Sequence, residues 1–126
     1  MRKIVLCIIA AVLFMGCEKQ DSLSGTVFAG FAYHANSTTI AGIQIDGYDA
    51  YYVYRFIDET NLERTTRTGG AYGKIIGEAE KGTYSYNHPN IEITYTDQYS
   101  ERVVTLRGEF LDSKTFRIDD TDYIKQ

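Results

Sequence analysis

Few residues of this chain have the type and spacing that catalysis or metal binding needs. Its two histidines, His34 and His88, stand far apart and lack the further ligands that a zinc site requires. Glu92 and Glu109 fall on the outward face of alternating segments, so they do not form the converging carboxylate pair of a glycoside hydrolase. We therefore expect no catalytic residue, no metal ion and no cofactor, and a protein that is not an enzyme.

The clearest chemistry belongs to a cysteine at the end of an apolar leader. Basic residues precede the apolar run Ile4 to Phe14, which has the length of a secretory leader and is too short to span a bilayer. The run ends at Met15-Gly16-Cys17, which resembles the lipobox of bacterial lipoproteins, with Phe14 where that family usually has Leu. The resemblance implies that residues 1–16 are a signal peptide and that Cys17 becomes the lipidated N-terminus. An ordinary secretory leader cut near Gly16 is the alternative.

The lipoprotein resemblance also implies a location. Acyl chains such as palmitate on Cys17 would hold the protein to a membrane, since each buried methylene contributes about 0.8 kcal/mol. Glu18 stands where an Asp would mark retention at the inner membrane, so the resemblance implies a lipid anchor in the outer membrane of the cell envelope. Residues 17–25 then form a polar tether, and the periplasmic and surface-exposed faces both remain open.

Charge and cysteine usage narrow the classes further. The chain has a net charge of −4 and no basic stripe, which argues against a nucleic-acid partner. Its two cysteines, Cys7 and Cys17, leave no disulfide for the domain itself. An exported domain without disulfides must be stabilised by its apolar core.

Tyrosine dominates the aromatic content, with 11 Tyr, 6 Phe and no Trp. Alternation along the strands turns a set of aromatic side chains inward, where they either contact a ligand or fill the core. These candidate ligand-binding residues are Tyr52, Tyr54, Phe56, Tyr84, Tyr86 and Tyr95.

Short alternating segments separated by turn residues position these side chains. They predict an antiparallel β domain over residues 26–118, with seven or eight strands and no helix. Residues 38–45 read as one weak strand. Residues 69–81 read as a mobile connection that begins at two glycines, with Lys74-Ile75-Ile76 as its only part expected to form a strand. Residues 119–126 read as an acidic tail that frays.

A meander of this kind closes into a barrel or folds as a β-sandwich, and closure removes exposed strand edges. The segments Leu23 to Phe28, Tyr54-Arg55-Phe56, Gly82 to Tyr86 with Pro89, and Ile91 to Tyr95 resemble the small lipocalin-like domains of bacterial lipoproteins. The predicted fold is therefore all-β, a small antiparallel meander of 7–8 strands forming a lipocalin-like barrel, with a β-sandwich as the alternative.

Two functions remain open from the sequence. In the first, the anchored barrel holds a small apolar or glycan ligand on the inward tyrosines. In the second, the domain is a protein-interaction module, such as an inhibitor, an immunity-type protector or an accessory lipoprotein of an envelope complex. Its contact surface would then include outward tyrosines such as Tyr51 and the segment 69–81.

Overall fold

A computed structural model describes residues 22–126, and all of its regular structure is β-strand. The strands are β1 (Val27–Ala35), β2 (Thr38–Ile40), β3 (Ile43–Ile45), β4 (Tyr48–Phe56), β5 (Asn61–Thr68), β6 (Ile75–Asn87), β7 (Asn90–Thr96), β8 (Val103–Asp112), β9 (Thr115–Ile118) and β10 (Thr121–Lys125). Within residues 22–126, no helix is long and apolar enough to cross a bilayer. The predicted signal peptide, Cys17 and most of the tether lie outside the described residues.

Eight strands close a barrel in the order β1-β10-β9-β8-β7-β6-β5-β4. Neighbouring strands are antiparallel, and consecutive strands from β4 to β10 are also neighbours in space, so the topology is an up-and-down meander. The first and last strands of the barrel pair where Phe28 meets Lys125 and Ala29 meets Ile124. The predicted meander barrel is confirmed, and the β-sandwich is excluded.

The alternating residues of the sequence point alternately into and out of the barrel. In β4, Tyr54 and Phe56 are buried, whereas Arg55 between them is exposed. In β7, Ile93 and Tyr95 are buried, and Thr94 between them is only partly so. The strands follow this pattern because successive side chains of a strand point to opposite faces.

One end of the barrel is sealed by an aromatic core. Phe28 lies edge-on to Phe56 and Phe110, with ring centroids 5.9 Å and 5.7 Å apart, and it also contacts Phe116. Leu23, only 1% exposed, belongs to the same cluster. We call this end, which carries Leu23 and the turns at residues 57–60, 88–89 and 113–114, the sealed pole.

The opposite end is more open, and we call it the mouth. It carries the connections at residues 69–74, 97–102 and 119–120 and the hairpin formed by β2 and β3. The hairpin pairs only with itself and stands outside the barrel sheet. Where the sequence predicted one weak strand over residues 38–45, a tight turn at Ala41 and Gly42, both with positive φ, divides it into two.

The expectation that residues 119–126 fray is wrong. Residues 121–125 form β10, and Tyr123 is 4% exposed and stacks on Phe116 with centroids 5.0 Å apart. The strand was not recognised from the sequence because its composition is acidic. Its polar side chains lie on the outer wall of the barrel, where Asp122 pairs with Arg117. Its pairing partner β1 is remote in sequence, so no local pattern marks it.

The segment 69–81 is also more ordered than predicted. The sequence predicts a short strand at Lys74-Ile75-Ile76, and β6 does begin at Ile75, but it continues without a break for 13 residues. Ala71, in the loop before it, is buried on the outer wall against Ala29 and Val53. The long β6 places Glu80 inside the barrel.

Candidate binding site at the barrel mouth

A cavity of about 200 Å³ opens at the mouth. Four tyrosine rings and several polar side chains surround it, and the aromatic core fills the barrel beneath it. Pockets for drug-sized ligands occupy about 300–1,000 Å³, so this one suits a small molecule or one unit of a polymer. The lining residues are Tyr33, Tyr52, Arg64, Thr66, Ile76, Glu80, Tyr95, Asp97, Gln98 and Tyr99.

The floor of the cavity is a buried ion pair between neighbouring strands. Arg64 on β5 and Glu80 on β6 are direct partners in the sheet register, and both point inward. Nη1 of Arg64 donates to Oε1 of Glu80 at 2.7 Å, and the two side chains are only 9% and 2% exposed. A charged pair so far from water is costly unless its geometry and its other hydrogen bonds are good.

Tyrosines supply the other contacts of Arg64. The guanidinium carbon lies 4.0 Å from the ring centroid of Tyr52 and 4.4 Å from that of Tyr95, so the cation is held between two aromatic faces. Its Nε donates to the hydroxyl oxygen of Tyr54 at 3.1 Å. Burial acts to lower the pKa of Arg64, but the oxygens of Tyr54, Tyr95 and Glu80 outweigh it and hold the pKa above its ordinary value. Arg64 is therefore charged at every physiological pH.

Tyr54 and Tyr95 at this floor remain neutral. Burial raises the pKa of Tyr54 and that of Tyr95, and the charge of Arg64 opposes the shift without cancelling it. Neutral hydroxyls can both donate and accept hydrogen bonds. The floor thus presents ring faces and hydroxyls beside an ion pair whose charges balance.

The loop at residues 97–102 is tied to the floor and the rim by Gln98. Oε2 of Glu80 accepts a hydrogen bond from the backbone N–H of Gln98 at 2.8 Å. The Gln98 side chain donates to the carbonyl of Glu78 and accepts from its N–H, both at 2.8 Å. Within the loop, hydrogen bonds from Ser100 lower the pKa of Asp97. These bonds fix the loop and place the 77%-exposed Tyr99 at the rim.

The six aromatic residues predicted as ligand contacts divide between the two ends of the barrel. Tyr52 and Tyr95 line the cavity, and Tyr54 lies directly beneath it. Phe56 and Tyr84 pack on each other in the sealed-pole core, with centroids 4.7 Å apart. Tyr86 packs on Phe110 in that core, with centroids 5.1 Å apart.

The hydroxyl of Tyr84 is committed to the sealed pole. It donates to the carbonyl oxygen of Asp58 at 2.5 Å. Burial, together with the nearby Glu59 and Asp58, raises the pKa of Tyr84 to about 12. Tyr84 and its neighbours therefore fill the core, away from the cavity.

The charged floor was missed by sequence reasoning. Leu62, Arg64 and Thr66 alternate along β5, and a buried Leu62 implies an inward Arg64, so that half of the pair could have been found. Glu80 shares its face of β6 with Tyr84, but it precedes Gly82, where the predicted strand begins, and therefore falls in the predicted mobile connection. Arg64 and Glu80 become neighbours through the pairing register of β5 and β6, which cannot be read from the sequence.

The remaining chemistry-bearing side chains are elsewhere. His34 contacts Asp49 at 2.6 Å on the exposed extension of β1 and β4, and Nδ1 of His88 lies 2.7 Å from the hydroxyl of Tyr86. An open depression of about 430 Å³ lies on the outer wall around Arg107 and Arg117. Both arginines are paired there, with Glu92 and with Asp122.

Within residues 22–126, no three His, Asp or Glu side chains form a group that could hold a metal ion. Comparison of the chain with protein-family models, curated proteins and solved structures finds no match.

Proposed function

We propose that this protein is a lipid-anchored, non-catalytic binding protein of the bacterial cell envelope whose barrel mouth holds one sugar unit of a glycan. The observation that carries the proposal is the floor of the cavity, where Arg64 forms a buried pair with Glu80 and its guanidinium lies between the rings of Tyr52 and Tyr95. The envelope address rests on the leader and on Cys17 in the sequence.

A sugar suits this floor better than an apolar ligand does. Sugars offer C–H faces to aromatic rings and hydroxyls to polar groups, and the cavity provides both kinds of surface. An apolar ligand would displace water from polar lining side chains such as Thr66 and Asp97 without replacing its hydrogen bonds, which is unfavourable. The filled core beneath leaves no channel for a long acyl chain.

The charge of the floor favours a neutral sugar. Arg64 is already compensated by Glu80, and Asp97 adds a negative charge to the lining, so an anionic ligand would meet no uncompensated cation there. Specificity would come from the orientation of hydroxyls relative to Thr66, Gln98 and the tyrosine hydroxyls. Of the two ligand classes that the sequence left open, small apolar molecules and glycans, we therefore propose glycans.

A protein-interaction module remains the second candidate because of the β2–β3 hairpin. Ile40, Ile43 and Ile45 are 59%, 68% and 46% exposed, and the antiparallel register places them on one face of the hairpin. Exposed apolar side chains grouped on one face are typical of protein contact surfaces.

The test compares two cavity tyrosines with a tyrosine outside the cavity. Tyr52→Leu removes a ring from the floor, and Tyr99→Leu removes a rim ring that supports no core residue. Tyr72→Leu is the matched control, because Tyr72 is 78% exposed and does not line the cavity. The wild-type domain is screened on a glycan array, and the affinity of each variant for the best glycan is measured by calorimetry.

We expect both cavity variants to lose about tenfold or more in affinity, equivalent to about 1.4 kcal/mol, with the control unchanged. Circular dichroism verifies that each variant is folded. A wild-type domain that binds no glycan, or two folded cavity variants that bind as well as the control, would contradict the proposal. Capture of an envelope protein that is lost on Ile43→Ser would favour the interaction module instead.

A further inference from the structure

The chain enters the barrel at the pole opposite to the cavity. Leu23 is buried in the sealed-pole core, and Gly25, at φ 80°, donates its N–H to the carbonyl of Phe56 at 2.7 Å. Just before them, the hydroxyl of Ser22 donates to Oε1 of Glu59 in the turn that ends β4. The first described residues are thus fixed to the sealed pole by a buried side chain and by hydrogen bonds.

The distance from this attachment to Cys17 is limited by covalent geometry. Five peptide units separate Cys17 from Ser22, and such a segment spans at most about 18 Å however it is arranged. The nine residues of β1 rise about 3.3 Å each. At a strand tilt of about 40°, the barrel wall is about 20 Å tall before the mouth loops are added.

We infer that the sealed pole faces the anchoring bilayer and that the mouth opens away from it, so the ligand arrives from the aqueous phase and not from that membrane. The inference rests on the proposed lipid anchor at Cys17. An inverted barrel would need its tether to pass along the whole wall, which is longer than five peptide units can span. The proposed glycan is thereby assigned to a water-borne molecule or to a polymer facing the lipoprotein, and lipids of the anchoring leaflet are excluded as ligands.

The β2–β3 hairpin is the main alternative to the sealed pole as the part of the barrel that contacts the membrane, because its isoleucines are exposed. The hairpin leaves the barrel at the mouth, where β1 ends and β4 begins, so it lies beyond the far end of the wall. With Cys17 anchored, the hairpin could reach the bilayer only if the barrel lay on its side. The test must therefore separate an upright barrel from a tipped one.

Two exposed serines, one at each end of the barrel, serve as labelling positions that measure how close each end lies to the membrane. Ser113 lies in the β8–β9 turn at the sealed pole, and Ser37 lies between β1 and β2 at the mouth; both are exposed. Each is replaced by cysteine in the full chain, which is expressed with its leader, purified in acylated form and placed in phosphatidylcholine vesicles. Cleavage of the leader removes Cys7 and acylation blocks Cys17, so a thiol-reactive fluorophore labels the introduced cysteine alone. Quenching is measured with headgroup spin-labelled lipid and with aqueous iodide.

We expect spin-labelled lipid to quench the label of Ser113→Cys at least about twofold more than that of Ser37→Cys, and iodide to show the reverse order. Equal quenching at both positions, or stronger lipid quenching at Ser37→Cys, would overturn the inference. A protein that does not bind vesicles would instead contradict the lipid anchor. Loss of glycan binding with the quenching order intact would contradict only the proposed ligand.

Discussion

At the scale of single residues, the surroundings of a charge decide what an ion pair contributes. Arg64 and Glu80 are shielded from water, whereas Arg55 and Glu63, a pair on neighbouring β4 and β5, are 52% and 26% exposed and 3.4 Å apart. Exposed pairs are screened by solvent and contribute about 0–1 kcal/mol. A buried charge that loses its partner is far more costly than that.

The two pairs give a matched prediction. Glu80→Gln keeps the shape of the side chain but leaves the cation of Arg64 buried without its counter-charge. We expect it to lower the free energy of unfolding by about 3–5 kcal/mol, and Glu63→Gln to lower it by about 1 kcal/mol or less. Urea denaturation followed by circular dichroism measures both. Equal effects of the two substitutions would show that solvent reaches the Arg64 pair.

At the scale of elements, β10 shows how a strand without a strong local pattern can complete a sheet. It is joined to β9 by a tight turn and pairs on its other side with β1, the first strand of the barrel. Its inward side chain, Tyr123, packs on Tyr54 and Phe116 in the main core. The strand therefore contributes both core packing and closure.

Removing β10 tests that role. Deletion of residues 121–126 removes Tyr123, and loss of one large buried aromatic side chain alone costs about 3–5 kcal/mol. Because small domains are stable by about 5–15 kcal/mol in total and the barrel also opens, we expect the truncated chain to lose its cooperative thermal transition. Ile124→Thr is the control, since Ile124 is 52% exposed on the same strand. A truncated chain with the same thermal transition as the control would contradict this role and show that residues 121–126 are dispensable for folding.

At the scale of the whole molecule, the barrel has two unlike ends. The sealed pole carries the aromatic core and the entry of the chain, and the mouth carries the cavity and the loops that border it. This polarity would keep the proposed membrane attachment and the proposed binding site at opposite ends of the barrel. A change at the anchor should therefore leave the cavity as it is.

Cys17→Ser tests that separation. Without a thiol to acylate, we expect the protein to move from the membrane fraction to the soluble fraction, because its acyl chains no longer contribute about 0.8 kcal/mol per buried methylene. Glycan affinity should stay within about twofold of wild type, which is about 0.4 kcal/mol. Fractionation and calorimetry give the two readouts. Retention in the membrane fraction would mean that acylation at Cys17 is not the anchor.

The sequence by itself determined the class of fold and the inward set of aromatic side chains. Alternation in segments such as Ala50 to Phe56 and Ile91 to Thr96 is a local property, and it fixes which side chains share a face of the sheet. The turn residues between these segments fix a meander. From those two facts, an antiparallel β domain with an aromatic core follows without any tertiary information.

Only the tertiary structure decided which inward residues form a site. Tyr52 and Phe56 lie on the same face of one strand, yet one borders a cavity and the other lies in the core, because height along the barrel depends on the stagger of all eight strands. The same holds for the pairing of Arg64 with Glu80 and of β10 with β1. Register and closure join residues that are distant in the chain, and no local pattern encodes those distances.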